Sequence, residues 1–156
     1  MNGGTIFTVC QTSELTVGLR DSAGELGKFI ATATSCSARV LACRSYHHRF
    51  STTVRVVTED AEKTARALAA EGIACTRGSI VLIQAENSPA AVVRVRTLLA
   101  LSDIPLLYWY CSWSEQNSWA VAFKTADDSR AAHVLLARAS GAARPTLDVG
   151  VTVSAA

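Results

Sequence analysis

The stretch RDSAGEL, residues 20–26, joins an alternating segment to a segment with helical periodicity. Before the junction, Leu15, Val17 and Leu19 occupy every second position, which predicts a strand with one buried face. From Leu26 onward, apolar residues recur at three- and four-residue spacing, which predicts an amphipathic helix. A tight turn requires only the glycine, so the acid and the serine at this junction need a separate explanation.

The same kind of junction recurs at ENSPAAV, residues 86–92. The segment before it, SIVLIQA, also alternates, and its Val81, Ile83 and Ala85 stand 66 positions after the apolar residues of the first strand. The segment after it begins with proline, which is favoured in the first turn of a helix because its missing amide has no helical partner there. Two similar junctions at this offset indicate two copies of one structural unit.

Each copy predicts the element order βαββαβ. After the first helix, the first copy continues with a hairpin (ARVLACRSY and FSTTVRVVT), a helix (EDAEKTARALAAEG) and a strand (IACTRG). The second copy continues in the same way, with the hairpin IPLLYWYCSW and SWAVAFKT, the helix TADDSRAAHVLLARAS and the strand PTLDVGVTV. We therefore expect an α+β fold of two ferredoxin-like units, antiparallel sheets with helices on one face. The expected domains are 1–78 and 79–156, without a linker between them. The N-terminal TIFTVCQ is either an added strand or a lead-in.

Composition limits the class of protein. The chain has 156 residues, of which 49% are hydrophobic and 18% charged, as in a compact domain rather than a disordered segment. The net charge of +2 is spread without a basic stripe, and no apolar run approaches the roughly 18 residues of a membrane span. We expect no nucleic-acid partner and no membrane association. The N-terminus lacks the features of a secretory signal, so a cytoplasmic location is expected.

The sequence offers little for catalysis or metal binding. The five cysteines form an odd set without metal-ligand spacing, which favours small apolar side chains in a reducing compartment. His47 and His48 are adjacent on a predicted strand, so they point to opposite faces and do not suit one metal ion. No catalytic triad or glycine-rich phosphate loop is present. We expect neither a cofactor nor an enzymatic activity.

The repeated unit resembles the ACT domain family, whose small ferredoxin-like modules in many members bind an amino acid and regulate an enzyme. The resemblance spans about residues 14–153 as a tandem pair, and its most telling feature is the loop from the first strand to the first helix. In the family this loop often resembles the pattern of an acid or amide, then any residue, then Pro-Gly, with a leucine two positions further on. The corresponding positions here are Asp21, Ser22, Ala23, Gly24, Glu25 and Leu26 in copy one, and Asn87, Ser88, Pro89 and Ala90 in copy two. Alanine replaces proline in the first copy, and alanine replaces glycine in the second.

The resemblance implies that these loops hold the ligand, and helix physics agrees. A helix N-terminus presents unpaired amides and a positive dipole end, which suit the carboxylate of an amino acid. Gly24 permits close backbone approach, and Asp21 or Asn87 can accept hydrogen bonds from an α-ammonium group. The loss of glycine at Ala90 makes the second loop the weaker candidate. Helix capping alone is an equally good explanation of the acid, amide and serine residues.

Five of the ten aromatic residues lie in YWYCSWSEQNSW, residues 108–119. Alternation places Tyr108 and Tyr110 on one face of a strand and Trp109 and Trp113 on the other. One set covers the core under the helices, and the other makes an apolar patch on the open sheet face. We expect these four residues to form an interface, either between the two units or between two chains.

These features favour a non-catalytic sensor that binds a small-molecule ligand, an amino acid, and regulates a separate enzyme or partner. The alternative is a structural module that only mediates homo-oligomer assembly. In either case we expect a homodimer.

Overall fold

The computed structural model describes residues 4–20, 23–114 and 118–139, without the side chains of Ala23, Trp113 and Ser114. The elements follow the predicted order: β1 (Ile6–Arg20), α1 (Ala23–Ser35), β2 (Val40–His48), β3 (Ser51–Thr58), α2 (Ala61–Ala70), β4 (Cys75–Glu86), α3 (Pro89–Leu101), β5 (Leu106–Ser114), β6 (Ser118–Thr125) and α4 (Asp128–Ala139). The predicted final strand PTLDVGVTV lies outside the described residues.

The strands form a six-stranded sheet in the order β2-β3-β1-β4-β6-β5. The chain divides into two compact units. The described part of the first unit comprises residues 13–20 and 23–78, and that of the second unit comprises residues 4–12, 79–114 and 118–139. The observed α+β class, with its βαββαβ-like repeats, confirms the predicted fold class.

In the first unit, β3 pairs antiparallel with both β1 and β2. Alternate residues of β1 and β3 face helices α1 and α2 because the side-chain period of a strand is two residues. The resulting core consists of Leu15, Val17, Leu19, Phe29, Ala33, Val54, Val56, Ala61 and Leu68. This core holds the end of β1, and therefore the first junction, against the start of α1.

In the second unit, β6 pairs antiparallel with β4 and β5. The core on the helix side contains Val81, Ile83 and Ala85 from β4, the inward faces of α3 and α4, and Val121 and Phe123 from β6. Ile6 and Val9 of β1 complete this core and are 2% and 4% exposed.

The N-terminal segment is therefore a strand and not a lead-in. The Glu86 amide donates to the Thr5 carbonyl at 2.8 Å, at the end of β4. The predicted division assigned residues 1–78 to one domain, but residues 4–12 pack with the second unit because Ile6 and Val9 are buried in its core. The two compact units also divide between Gly78 and Ser79.

Strand β4 explains why no linker separates the two copies. The predicted strands IACTRG and SIVLIQA are one continuous strand, Cys75–Glu86, whose first four residues belong to the first unit and the rest to the second. Within the described part of the chain, no helix is long and apolar enough to cross a membrane.

Candidate ligand site at the strand–helix junctions

The first junction lies between Arg20, the last residue of β1, and Ala23, the first residue of α1. The Arg20 amide donates to Oε2 of Glu25 at 2.6 Å, so the glutamate in the first turn of the helix reaches back to the strand. This is the geometry of a capping interaction, and it also places a carboxylate at the positive end of the helix dipole. Asp21 and Ser22 lie outside the described residues, and their predicted ligand role stays a prediction.

The backbone of the first helical turn is accessible at Gly24. This residue is exposed, and among the described residues, which exclude Asp21 and Ser22, no atom lies within 4 Å of a Cβ built on it. Its φ lies outside the left-handed region, so the backbone conformation does not require glycine. Within the described part of the chain, the missing side chain leaves open space in the first turn of α1. Leu26 packs against the core of the first unit and anchors the other side of the turn.

The second junction is closed by hydrogen bonds of its own chain. Ser88 is the N-cap of α3, and its hydroxyl accepts a hydrogen bond from the Ala90 amide at 3.2 Å, while Pro89 occupies the first turn. Asn87 is partly buried and has interactions within the chain. For Ser88, helix capping is therefore observed directly.

The N-terminal segment covers this second junction. A Cβ built on Gly4 would lie 2.3 Å from the Ala91 amide nitrogen and 2.8 Å from its Cα. Sequence reasoning missed this contact, because Gly4 lies 87 positions from Ala91 and nothing in its local pattern indicates a partner. The two junctions are similar in sequence, but among the described residues only the first turn of α3 is covered by another segment of the chain.

The aromatic segment contributes to the packing of the second unit. The Trp109 ring stacks on Phe123 at a centroid distance of 6.2 Å, and it packs against the core on the helix side. Tyr110, on the opposite face, is 4% exposed, and Tyr108 is partly buried. The side chain of Trp113 lies outside the described residues. Tyr110 is thus buried and Trp109 partly buried within this chain, and the interface role of the four residues stays a prediction.

A buried ion pair stands at the start of α4. The Asp128 carboxylate accepts from the Lys124 ammonium at 2.5 Å, and from the amide and hydroxyl of Thr125 at 2.9 and 2.8 Å. Lys124 also donates to the Ser79 carbonyl at 2.9 Å. Burial of Asp128 raises its pKa, but the hydrogen bonds from Lys124 and Thr125 outweigh this effect, so the pKa is lowered. All of these partners belong to the second unit.

The described residues hold no group of three or more histidine, cysteine and acidic side chains that could bind a metal ion. The five cysteines are free, and burial raises the pKa of the Cys10 thiol, which makes it a weaker nucleophile. His47 lies beside Thr52, with 2.7 Å between Nδ1 and the hydroxyl oxygen. Near the first junction the described groups are the backbone of the first turn of α1 and the Glu25 carboxylate.

The architecture and the open strand–helix junction define an ACT-like fold. No protein-family model and no curated protein matches the sequence. Among solved structures, a protein from Bacteroides thetaiotaomicron is similar with a TM-score of 0.72 and 18% identity, over 88% of this chain and 91% of that one. The ligand-free regulatory subunit of aspartate kinase from Thermus thermophilus has a TM-score of 0.60 and 12% identity, over 90% and 100% of the two chains. The corresponding subunit from Thermus flavus has a TM-score of 0.54 and 16% identity, over 86% and 95%.

Proposed function

We propose that this chain is a non-catalytic cytoplasmic sensor that binds an amino acid at the first junction and regulates a separate enzyme or partner protein. The observation that carries the proposal is the open start of α1 at Gly24, beside the Glu25 carboxylate. The fold it shares with regulatory subunits of aspartate kinase supports a regulatory role, because the match extends over nearly the whole of both chains.

The proposed site suits both ends of an amino acid. The exposed first turn of α1 offers backbone amides and the positive end of the helix dipole to the ligand carboxylate. The Glu25 carboxylate, held near the end of β1 by the Arg20 amide, provides an acceptor for the ligand ammonium. Asp21 adds a second acid in the sequence of the same loop. Contacts of the protein with the ligand side chain, beyond this turn, then determine which amino acid binds.

A thermal-shift screen against the twenty free amino acids tests the proposal directly. A ligand present at 100 times its dissociation constant stabilises the folded chain by about 2.7 kcal/mol, which gives a clear rise in the unfolding temperature. We expect such a rise with one or a few amino acids at millimolar concentration. If all twenty leave the unfolding temperature unchanged, amino-acid sensing is rejected.

Two exposed glycines of α1 provide a matched pair of variants. Among the described residues, neither Gly24 nor Gly27 has an atom within 4 Å of a Cβ built on it, and both are exposed, so a side chain at either position begins in open space. We expect Gly24→Leu to raise the dissociation constant of the amino acid at least about tenfold by filling the ligand space, a loss of about 1.4 kcal/mol. Gly27→Leu, one turn further along the helix, should leave it within about twofold. Equal affinities of the two variants, measured by calorimetry, would place the ligand elsewhere.

Assembly is the second candidate function, and a distinct surface favours it. Val93 and Leu101 on α3 are 60% and 80% exposed, and Leu107 on β5 is 61% exposed. A partner that covers exposed apolar side chains removes their surface from water, which favours association, and we place the interface at these three residues. The occupant we propose is a second copy of this chain, giving a homodimer.

Light scattering of the Leu101→Glu variant tests the dimer. We expect the wild-type protein to have twice the monomer mass at micromolar concentration and Leu101→Glu to have the monomer mass, because the charge cannot be buried without a partner. Phe50→Glu changes a residue that is 84% exposed on the first unit and should keep the dimer mass. A monomeric wild-type protein rejects assembly without affecting the sensor proposal.

A further inference from the structure

The backbone of Gly4 lies directly on the first turn of α3. The Cβ of any other residue at this position would be 2.3 Å from the Ala91 nitrogen and 2.8 Å from both the Cα and the Cβ of Ala91. Real Cβ atoms do not approach backbone this closely, so only glycine fits between β1 and the helix. No space for a ligand remains over Ala91.

Several hydrogen bonds hold the segment in this place. The amide of Thr5 donates to Oε2 of Glu86 at 3.1 Å, and the Glu86 amide donates to the Thr5 carbonyl at 2.8 Å. Arg94 of α3 donates to the Gly4 carbonyl at 3.4 Å and to the Arg138 carbonyl at 3.1 Å. The segment is thus fixed both to the end of β4 and to the helix it covers.

Burial anchors the same segment further along β1. Ile6 and Val9 lie in the core of the second unit, at 2% and 4% exposure. Residues 4–5 therefore continue a strand that is packed along its length and are not an isolated end of the chain. Their position over α3 follows from the pairing of β1 with β4.

Among the described residues, none covers the first turn of α1 in this way. Gly24 in that turn is exposed, and no described atom lies within 4 Å of the position that its Cβ would take. The corresponding first turn of α3 meets Gly4 instead. The two junctions share a sequence pattern, but the described residues block a ligand from the helix N-terminus at the second junction and not at the first.

From this contrast we propose that residues 4–5 are a built-in occupant of the second junction, so that each chain offers one ligand site, at the first junction. The first part of this proposal, that residues 4–5 occupy the second junction, depends only on the contacts of Gly4. The second part, the number of ligand sites, depends also on the proposed function. A carboxylate ligand must reach hydrogen-bond distance of the helix amides, and at α3 the backbone of Gly4 already fills that approach.

Hydrogen–deuterium exchange tests the occupancy without any ligand. In the wild-type protein we expect slow exchange in residues 5–12 and 89–93. Gly4→Leu should raise exchange in both segments at least about tenfold, because the strand end is displaced from α3. Gly78→Leu is the matched control, since no atom lies within 4 Å of a Cβ built on Gly78, and it should leave both segments unchanged. Gly4→Ala, a smaller change, repeats the test if the leucine variant does not fold. Unchanged exchange in a folded Gly4 variant overturns the proposal.

Calorimetry then counts the sites with the amino acid that gives the largest thermal shift. One ligand per chain in the wild-type protein, lost in Gly24→Leu, supports the proposal. Two ligands per chain overturn it and leave the sensor function standing. If no amino acid binds, the sensor function fails, while the exchange experiment still decides whether residues 4–5 occupy the second junction.

Discussion

The Phe123→Ala variant should lose about 3–5 kcal/mol of the free energy of unfolding, the largest single effect we expect. Phe123 lies in the middle of β6, is 1% exposed, and pairs in register with Val81 on one side and Trp109 on the other. Its ring stacks on that of Trp109, so truncation leaves a cavity and removes a ring contact together. Chemical denaturation measures the loss, and hydrogen exchange should rise most in α3 and α4, whose inward faces share this core.

The same substitution at Phe50 is the natural control. Phe50 is 84% exposed in the turn between β2 and β3, so Phe50→Ala should change the free energy of unfolding by less than about 0.5 kcal/mol. Similar losses in the two variants would contradict the assignment of Phe123 to the core of the second unit.

The Asp128→Asn variant should be less stable by about 2–3 kcal/mol near neutral pH. The carboxylate is 7% exposed and receives three hydrogen bonds, one of them from the Lys124 ammonium. Asparagine has nearly the same shape, but its amide leaves Lys124 without its counter-charge in a partly buried place. Denaturation of the two proteins at pH 7 measures the difference.

The loss should depend on pH, with a sign fixed by the lowered pKa of Asp128. A group whose pKa is lower in the folded state stabilises the fold above its unfolded-state pKa, about 3.9 for aspartate. This stability is lost as the pH falls through the lower, folded-state pKa. We expect the difference between wild type and Asp128→Asn to be constant above about pH 5 and to shrink below pH 4.

Asp127 is the matched control for this residue. Its carboxylate is exposed and accepts only from the Arg130 amide among the contacts described, at 3.0 Å, and asparagine caps a helix as well as aspartate does. Asp127→Asn should therefore change stability by less than about 0.5 kcal/mol at pH 7. A pH dependence that is equal in both variants would rule out the Lys124–Asp128 pair as its source.

Much of the fold was predictable because its signals are local. Alternation of period two in Leu15, Val17 and Leu19 located the end of β1, and the β2–β3 and β5–β6 hairpins follow from neighbouring segments that pair directly. At the second junction, the serine before Pro89 marked the start of α3, where the structure has its N-cap. These features depend on residues only a few positions apart.

The sequence alone therefore determined the element order, the repeat and the two junctions, because the periodicity of a strand or helix is carried by adjacent residues. Only the tertiary structure decided that residues 4–12 complete the second unit, since strand partners far apart in sequence are chosen by core burial and backbone pairing. It also decided that Gly4 lies on the first turn of α3 at Ala91 while no described residue lies on Gly24, because steric access depends on which distant backbone packs there.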